Sequence, residues 1–437
     1  MIALTAFGVL GAMFSAPFIG VAVYYLFAVL RPQYIWLWAL PYGTPWSAFV
    51  AWATIGATAW FLLTSPAPPR TAGYRRLSGA HKAFLAFGLW ICVTYITSTN
   101  QDIAWPWLVE YLKIFVMFAI ASLVIANVQQ VWQIYLACTG ALVYIAYELN
   151  FMYLVNGKIS IYHIGYGGLD NNGAGLMIAM GIPLALYAWQ GSTKVWRWVF
   201  LAAIPLLLHA VLMSYSRGAM VALLVATPLF VLRSPKKGPM VAILLVMLAL
   251  VPVLAGQEIR NEFFSVEQYN TDSSANSRFE SWAAAFRMAN DYPVFGVGIR
   301  NSGLFSLQYG ADYAGRTIHS QYLQTLADGG YPALGLYLLA LGSVYLAMKR
   351  TRRFLKGRTD LDARRAVSMM NGLECSLLIF CVGGAFLSLE VFELPYVIVL
   401  LGAQTSLLVR FRTSDAPESA LAPAQPTVRL PVAPQRA

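Results

Sequence analysis

The sequence predicts an all-α membrane protein: a polytopic bundle of about twelve transmembrane helices with one large, partly helical loop. The apolar fraction of the 437 residues is 59%, the charged fraction is 11% and the mean hydropathy is +0.60, which is far from soluble globular norms. Uncharged runs long enough to cross a bilayer recur along the chain. One long polar interruption, at 256–320, predicts the loop.

The apolar runs give twelve candidate spans. The first is long for one helix, and Ala16-Pro17 could divide it into two short helices. It lacks a basic start and a small-residue cleavage site, so a cleaved signal peptide is not expected. The spans are 2–30, 46–64, 81–98, 107–126, 130–155, 170–189, 196–213, 218–232, 239–255, 321–348, 370–388 and 394–411.

Lysine and arginine are distributed unevenly between the connecting segments. Five segments hold 21 of the 30 basic residues, and all five fall on one face when the spans alternate. By the positive-inside rule that face is cytoplasmic, which places both termini inside and 256–320 outside. The net charge of +11 is therefore mostly topological and requires no nucleic-acid partner. The five segments are 65–82, 190–197, 233–238, 349–365 and 410–437.

Residues 1–412 are predicted to form the bundle, with the loop as part of it, and 413–437 a disordered cytoplasmic tail rich in Ala and Pro. The four cysteines lie in apolar runs without a C-x-x-C pair and are interpreted as packing residues. The four histidines are too scattered in sequence to predict a metal site. His209 is interpreted as a helix-packing residue and His163 as a surface residue.

The loop at 256–320 shows signs of local structure. Ser277-x-x-Glu280 matches a capping box and predicts a helix start. Asp291-Tyr292-Pro293 predicts the end of that helix, and Gly296-Val297-Gly298 a turn. Five arginines and no lysine lie in the loop, and a planar guanidinium suits phosphate oxygens better than an ammonium does. The arginines are Arg260, Arg278, Arg287, Arg300 and Arg316.

Arg217 is a lone charge between two apolar runs, at the predicted outer end of a helix hairpin. The structural interpretation is an arginine that extends to the interface and marks a helix end. The functional interpretation is a guanidinium that donates two parallel hydrogen bonds to phosphate oxygens. Because the predicted outer face has few basic residues, we favour the functional interpretation.

His319 lies just before the span that begins at Gln321, three residues after Arg316. An imidazole titrates near neutral pH and can accept a proton from an attacking hydroxyl. The alternative is a polar residue at a helix terminus, and the sequence does not separate the two hypotheses.

Other polar residues lie mostly toward the predicted outer ends of the spans. Glu110 and Lys113 are one turn apart and could pair with each other. Asp170-Asn171-Asn172 enters the sixth span, where a helix N-cap would account for it; a sugar-binding role is the functional alternative. Glu148, Glu390 and Glu393 also fall toward outer ends, whereas Glu374 lies near the cytoplasmic start of its span.

Four motifs, in order and on the predicted outer face, resemble the O-antigen ligase and polymerase superfamily of bacterial envelopes over residues 160–350. The chain departs from the family at Ser320, where asparagine commonly follows the histidine, so no acceptor contact is assigned to this side chain. The motifs are Leu169-Asp170-Asn171-Asn172, Ser216-Arg217-Gly218-Ala219, Ser277-Arg278-Phe279-Glu280-Ser281-Trp282 through Asp291-Tyr292-Pro293-Val294-Phe295-Gly296-Val297-Gly298, and His319-Ser320-Gln321-Tyr322-Leu323-Gln324 with Asp328-Gly329-Gly330 and Gly335.

A narrower resemblance lies at the start of the chain. Ala16-Pro17-Phe18-Ile19-Gly20 followed by Arg31-Pro32 is similar to the exosortase-associated O-glycosylation ligases within this group.

The resemblance implies a glycosyltransferase in the bacterial inner membrane, with its active site facing the periplasm. The donor would be a glycan on undecaprenyl diphosphate, without a nucleotide sugar, metal or other cofactor, and the acceptor a hydroxyl such as that of lipid A-core. Arg217 and Arg278 would bind the diphosphate, and His319 would accept the acceptor's proton as C1 is attacked from the opposite face, with inversion. The lipid tail would lie against membrane-facing helices. Candidate phosphate or glycan contacts are Arg287, Arg300, Arg316, Lys113, Asp170, Asn171 and Asn172.

Three further hypotheses remain. A polymerase of O-antigen or exopolysaccharide and a protein O-oligosaccharyltransferase would use the same chemistry with another acceptor. A transporter of lipid-linked glycans belongs to a different class, in which two halves with matching interrupted helices are common. The sequence shows no matching halves, and its single large loop is asymmetric, so transfer is favoured over transport.

Overall fold

The computed structural model describes residues 1–36, 44–64, 77–254, 273–389 and 391–414. Over these ranges the chain forms sixteen α-helices and no β-strand, so the all-α prediction is confirmed. The helices are α1 (Ile2–Phe14), α2 (Pro17–Leu30), α3 (Trp46–Thr64), α4 (Gly79–Ile96), α5 (Gln101–Val124), α6 (Val128–Asn156), α7 (Ser160–Ile164), α8 (Asn171–Gly191), α9 (Lys194–Met213), α10 (Arg217–Arg233), α11 (Lys237–Leu254), α12 (Ser273–Asp291), α13 (Ser302–Phe305), α14 (Gln321–Phe354), α15 (Leu361–Gly383) and α16 (Glu393–Ser414).

Nine of the helices in the described ranges are long and apolar enough to cross a membrane, namely α3 to α6, α8, α9 and α14 to α16. They match nine predicted spans, so a multi-pass membrane bundle is confirmed. The 17-residue α10 and the apolar α11 match the eighth and ninth predicted spans. The first predicted span, 2–30, is instead a hairpin of α1 and α2. Pro17 begins α2 because proline has no N–H to continue the preceding helix.

The eleventh predicted span, 370–388, is wrong at both ends. Helix α15 runs from Leu361 to Gly383, and residues 384–389 form turns instead of a further helical turn. Hydropathy places the apolar sequence Ala385-Phe386-Leu387 in the helix, because it does not distinguish a membrane helix from a buried turn. This segment, 384–389, is called the return turn below.

Helix α8 lies at the centre of the bundle, against α6, α9, α10 and α15. It carries no charged residue and is apolar on all sides, as expected for a helix buried on every face. Hydrogen bonds tie its neighbours to it: the Tyr187 hydroxyl donates to the Phe230 carbonyl at 3.0 Å, and the Ser376 hydroxyl donates to the Met180 carbonyl at 3.0 Å. His209 also packs between helices, as predicted, with Nδ1 2.5 Å from Asn150 Oδ1. His163 is exposed, also as predicted.

The described parts of all five basic segments lie at one end of the bundle. One cavity there joins Gln190 and Arg233 to the end of α14 and the start of α15. A second joins Gly79 to Arg350 and Arg410. We call this the basic end. The opposite end carries the starts of α8, α10 and α14 and the described part of the polar loop, 273–320; we call it the motif end, and residues 273–320 the cap. Arg260, most of the predicted tail and Glu390 lie outside the described residues.

Helix α12 forms the longest part of the cap. It begins at Ser273, four residues before the predicted start, so Ser277 lies within the helix and the predicted capping box is wrong. The Ser277 hydroxyl instead accepts a hydrogen bond from the Arg316 guanidinium. The predicted end of the helix, at Asp291-Tyr292-Pro293, is confirmed.

The cap docks onto a kink in α14. Gly330 has φ 74° and ψ −178°, outside the helical region, and Pro332 has no N–H to donate to the Asp328 carbonyl. The amides of Val297 and Gly298 donate to the carbonyls of Ala327 and Asp328, each at 3.0 Å. A turn at Gly296-Val297-Gly298 is thus confirmed, and its backbone replaces the helical hydrogen bonds that α14 lacks.

We predict that Gly330→Ala loosens the cap. The backbone conformation at Gly330 is nearly exclusive to glycine, and an added Cβ would clash with the Val294 carbonyl. The expected cost is roughly 1–3 kcal/mol, measured as a lower midpoint of thermal unfolding in detergent and as faster tryptic cleavage within the cap. Gly335→Ala is the matched control on the same helix, because an added Cβ there meets nothing within 4 Å. Equal behaviour of the two variants would contradict the docking role of the kink.

Candidate functional site

Three helices begin next to one another at the motif end. Their N-cap side chains accept from backbone amides of the first turn: Asp170 from Gly173 at 2.8 Å, Ser216 from Ala219 at 3.2 Å and Ser320 at the start of α14. The first turns of α8, α10 and α14 contain no acidic residue. The positive ends of three helix dipoles therefore face the same region, which favours an anion there.

The start of α10 is fixed against the start of α8. The Asn171 side-chain amide donates to the Ser214 carbonyl at 3.0 Å. Tyr215 then takes a left-handed conformation, with φ 52°, and its ring packs against Tyr162 at 4.7 Å between centroids. This turn places Arg217, partly buried, as the first residue of α10 at the motif end, as the sequence predicted.

The return turn joins the start of α10 to α12 and α14. The ring of Phe386 packs against Trp282 of α12, with centroids 6.2 Å apart, and its Cβ lies 3.9 Å from where a Cβ on Gly218 would be. The amide of Gln321 donates to the Gly384 carbonyl at 2.7 Å. The side of Gly218 next to Arg217 thus faces Phe386. Arg278 lies one helical turn before Trp282, which Phe386 contacts.

Residues of the cap hold the backbone segment that leads to His319. The Ser281 hydroxyl lies 2.8 Å from the Arg278 carbonyl and 3.1 Å from the Ile318 carbonyl, and so ties α12 to the residue before the histidine. The Arg316 guanidinium contacts the Ser277 hydroxyl and lies 3.4 Å from the Asp312 carboxylate. His319 has φ 54°, a left-handed conformation that is uncommon for a non-glycine residue.

The electrostatic surroundings of His319 favour the neutral imidazole. Burial lowers its pKa below the ordinary value of 6.5, the positive charges of Arg278 and Arg316 lower it further, and the carboxylate of Asp170 raises it. Within the described residues, neither ring nitrogen forms a hydrogen bond. A partly exposed, neutral imidazole with an accessible lone pair at pH 7 can act as a general base.

The other predicted contacts divide between this cluster and elsewhere. Arg287 is exposed and donates to the Tyr309 carbonyl at 2.5 Å, within the cap. Arg300 packs over Trp107 of α5, with Cζ 4.1 Å from the ring centroid. Lys113 forms an exposed ion pair with Glu110 at 2.6 Å, which confirms the pairing considered from the sequence. The structure thus brings Arg278, Arg316 and Asp170 close to His319, and holds Arg287, Arg300 and Lys113 through other contacts.

The Asp170-Asn171-Asn172 motif has the structural role considered from the sequence. Asp170 is the N-cap of α8, Asn171 binds the turn before Arg217, and Asn172 donates to the Asn171 side chain at 3.2 Å. Ser320 likewise caps α14. Serine and asparagine are both strong N-cap residues, which accounts for serine at this position of the motif.

The sequence predictions missed three residues that position this end of the bundle. Phe386 lay inside a predicted span. Gln321 is fully buried, and its side-chain oxygen accepts from the Leu389 amide at 2.6 Å. Arg31, in a left-handed conformation, donates to the carbonyls of Gly167 and Val391. The sequence carries a signal for Gln321, because a polar amide is unexpected as the first residue of an apolar helix. No feature of the sequence indicates the role of Phe386.

We predict that the charges around His319 set its pKa in opposite directions. Arg316→Gln removes a positive neighbour and should raise the pKa, whereas Asp170→Asn, which keeps an N-cap, should lower it. The rate of modification of His319 by diethyl pyrocarbonate, followed by peptide mass spectrometry against pH, reports the neutral fraction. The wild-type midpoint should lie below pH 6.5. Shifts of the same sign in both variants would contradict this arrangement.

Comparison with known protein families agrees with these motifs. Residues 202–338 match the family model described as O-Antigen ligase, whereas no curated protein matches the chain significantly. The matched segment runs from α9 through the cap to the kinked part of α14, and contains Arg217, Arg278 and His319. Over this segment the chain matches an O-antigen ligase domain, which confirms the predicted resemblance to the O-antigen ligase and polymerase superfamily.

Proposed function

We propose that the protein transfers a glycan from undecaprenyl diphosphate to a hydroxyl of an envelope acceptor such as lipid A-core. The observation that carries the proposal is the position of His319, partly buried and close enough to Arg278 and Arg316 for their charges to lower its pKa, inside the segment that matches O-antigen ligases. A base next to a cluster of cations suits an alcohol attack that expels an anionic leaving group.

The leaving group is a diphosphate, and Arg217 and Arg278 bind it. Guanidinium groups donate paired hydrogen bonds to phosphate oxygens, and the starts of α8, α10 and α14 add three positive helix ends. Together they provide the charge stabilisation that a divalent cation provides in many enzymes that act on diphosphates. No metal is required in this proposal.

His319 accepts the proton. As the acceptor oxygen attacks C1 of the glycan, its O–H proton passes to the imidazole, the bond between C1 and the diphosphate oxygen breaks, and the diphosphate leaves with the electron pair. Attack from the face opposite the leaving group inverts the configuration at C1. The left-handed backbone at His319 and its anchor at Ile318 hold the ring in place for this step.

The remaining cations are assigned by their contacts. Arg316 keeps the pKa of His319 low and completes the positive cluster. Arg300, stacked on Trp107 of α5, and Lys113, which also lies on α5, are proposed to contact the glycan. Arg287 is left out of the proposal, because it is exposed and donates to a cap carbonyl.

The orientation in the membrane follows from the distribution of charge. The basic end is proposed to be cytoplasmic by the positive-inside rule. The motif end then faces the periplasm of a bacterial inner membrane, where a lipid-linked glycan and an envelope acceptor would meet.

We predict that His319→Ala lowers transfer by about 10²- to 10⁴-fold, the range expected on loss of a general base. Arg217→Ala and Arg278→Gln should each lower it by about 10²- to 10³-fold. The measurement is product formation in proteoliposomes with a synthetic glycan on undecaprenyl diphosphate and purified lipid A-core, at matched protein insertion.

The chain offers a matched control for each type of residue. His163→Ala changes an exposed histidine at the motif end, and Arg287→Gln an exposed arginine two and a half turns after Arg278 on the same helix. Both should retain transfer within about twofold, and EDTA should leave turnover unchanged. Transfer by His319→Ala at the wild-type rate would contradict the proposed mechanism. So would a loss of turnover in EDTA that is restored when Mg²⁺ is added.

The identity of the acceptor is tested by deleting the gene and analysing the envelope glycans. If the acceptor is lipid A-core, long glycan chains should accumulate unattached, because polymerisation continues without ligation. Accumulation of single repeats would identify a polymerase, and loss of glycoproteins alone would identify a protein O-oligosaccharyltransferase.

A further inference from the structure

A second concave site lies at the basic end, opposite the candidate catalytic residues. It is a cavity of about 610 Å³ between the ends of α8, α10 and α14 and the start of α15. Pro235, Leu355 and Val367 give it an apolar wall, while most of its polar lining is basic. The family match ends at residue 338, and most residues that line this cavity come later in the chain.

The charge in this cavity is large and of one sign. Among the residues that the structure describes, seven lysines and arginines line it and no aspartate or glutamate does. Glu374, buried behind the lining, and Asp360, 3.3 Å from Arg358, pair with residues of this set. The seven positive charges of the lining exceed the charges of these two carboxylates by five.

Two of the arginines are held rigidly. Arg233 donates two hydrogen bonds to Glu374, at 2.7 and 2.8 Å, and Arg352 pairs with the same carboxylate. The Glu374 side chain is only 2% exposed and that of Arg352 12% exposed. A buried carboxylate shared by two arginines fixes both guanidinium groups and leaves one positive charge uncompensated.

Other groups in the lining remain available to a ligand. Within the described ranges, Lys349, Arg353, Lys356 and Arg364 form no side-chain hydrogen bond or ion pair. Asn371 is only 3% exposed, and its amide donates to the Arg233 carbonyl at 2.9 Å. This hydrogen bond leaves Oδ1 buried in the lining without a donor from the described residues. The cavity thus offers several cations and, at Asn371, a hydrogen-bond acceptor without a partner among the described residues.

We propose that this cavity binds the headgroup of an anionic phospholipid of the phosphatidylglycerol class. The phosphodiester would lie among the four basic side chains, and a glycerol hydroxyl would donate to Asn371. A basic pocket between helix ends at a membrane surface is a recognised arrangement for such headgroups. The apolar wall and the position at the ends of membrane-spanning helices favour a lipid over a soluble phosphate.

Native mass spectrometry of the full-length protein in detergent, titrated with phosphatidylglycerol, tests this proposal. Lys349→Gln/Arg353→Gln should weaken the tightest phosphatidylglycerol site by roughly twentyfold to thirtyfold, at about fivefold per charge near a membrane surface. Lys237→Gln/Arg350→Gln is the matched control, because it removes two charges from the same end but outside this cavity. The control should change binding by less than about twofold.

Two further probes distinguish the sources of the phosphate. Phosphatidylcholine should show no saturable site, and glycerol 1-phosphate should bind at least about tenfold more weakly than phosphatidylglycerol, because it lacks the apolar contacts. Equal weakening in the two double variants would overturn the site, since the whole basic end would then attract the lipid. Equal binding of glycerol 1-phosphate would overturn the assignment to a lipid. Neither result depends on transferase activity, so the function proposed for the motif end is tested separately.

Discussion

The arrangement at the motif end depends on how two carbonyls of α14 find hydrogen-bond donors. At the break the Tyr331 amide donates to the Pro293 carbonyl instead of to Ala327, and Pro332 has no N–H for the Asp328 carbonyl. In a membrane protein such groups must find donors within the protein. The cap supplies both donors, from Val297 and Gly298, and the indole of Trp90 donates to the neighbouring Gly329 carbonyl at 2.9 Å. The cap is therefore joined to the bundle by hydrogen bonds that α14 itself needs.

This constraint determines where the charges lie. With the cap fixed, α12 lies over the motif end, and Ser281 can hold the segment before His319. Arg278 and Arg316 then both lower the pKa of one imidazole. Left-handed conformations at Tyr215, Arg300 and His319 add local strain at this end of the molecule. Such strain persists only where the surrounding packing enforces it.

The sequence predicted the elements that depend on local chemistry. Hydropathy predicted most spans, basic residues predicted which segments share one end, and the order of short motifs predicted the superfamily. Hydropathy failed where an apolar segment was not helical, as at Phe386, and the capping box failed because Ser277 is used by Arg316 instead of by a helix start. Convergence in space was not predictable either. Phe386 of the return turn, which contacts Trp282 of α12 and faces Gly218 of α10, lies more than 160 residues from Arg217 in the chain.

Guanidinium groups are used differently at the two ends of the bundle. At the basic end Arg233 and Arg352 share the buried Glu374, so their positions are set before any ligand binds. At the motif end Arg316 is held by a hydroxyl and a partly exposed carboxylate. Buried pairing lowers the free charge but fixes geometry, which would suit long-term binding of the proposed headgroup. The more exposed pairing of Arg316 would leave more of its charge for the diphosphate group that is proposed to bind and leave in each turnover. The positive-inside rule accounts for how many cations lie at the basic end, but not for the pairing of Arg233 and Arg352 with one buried carboxylate beside a cavity.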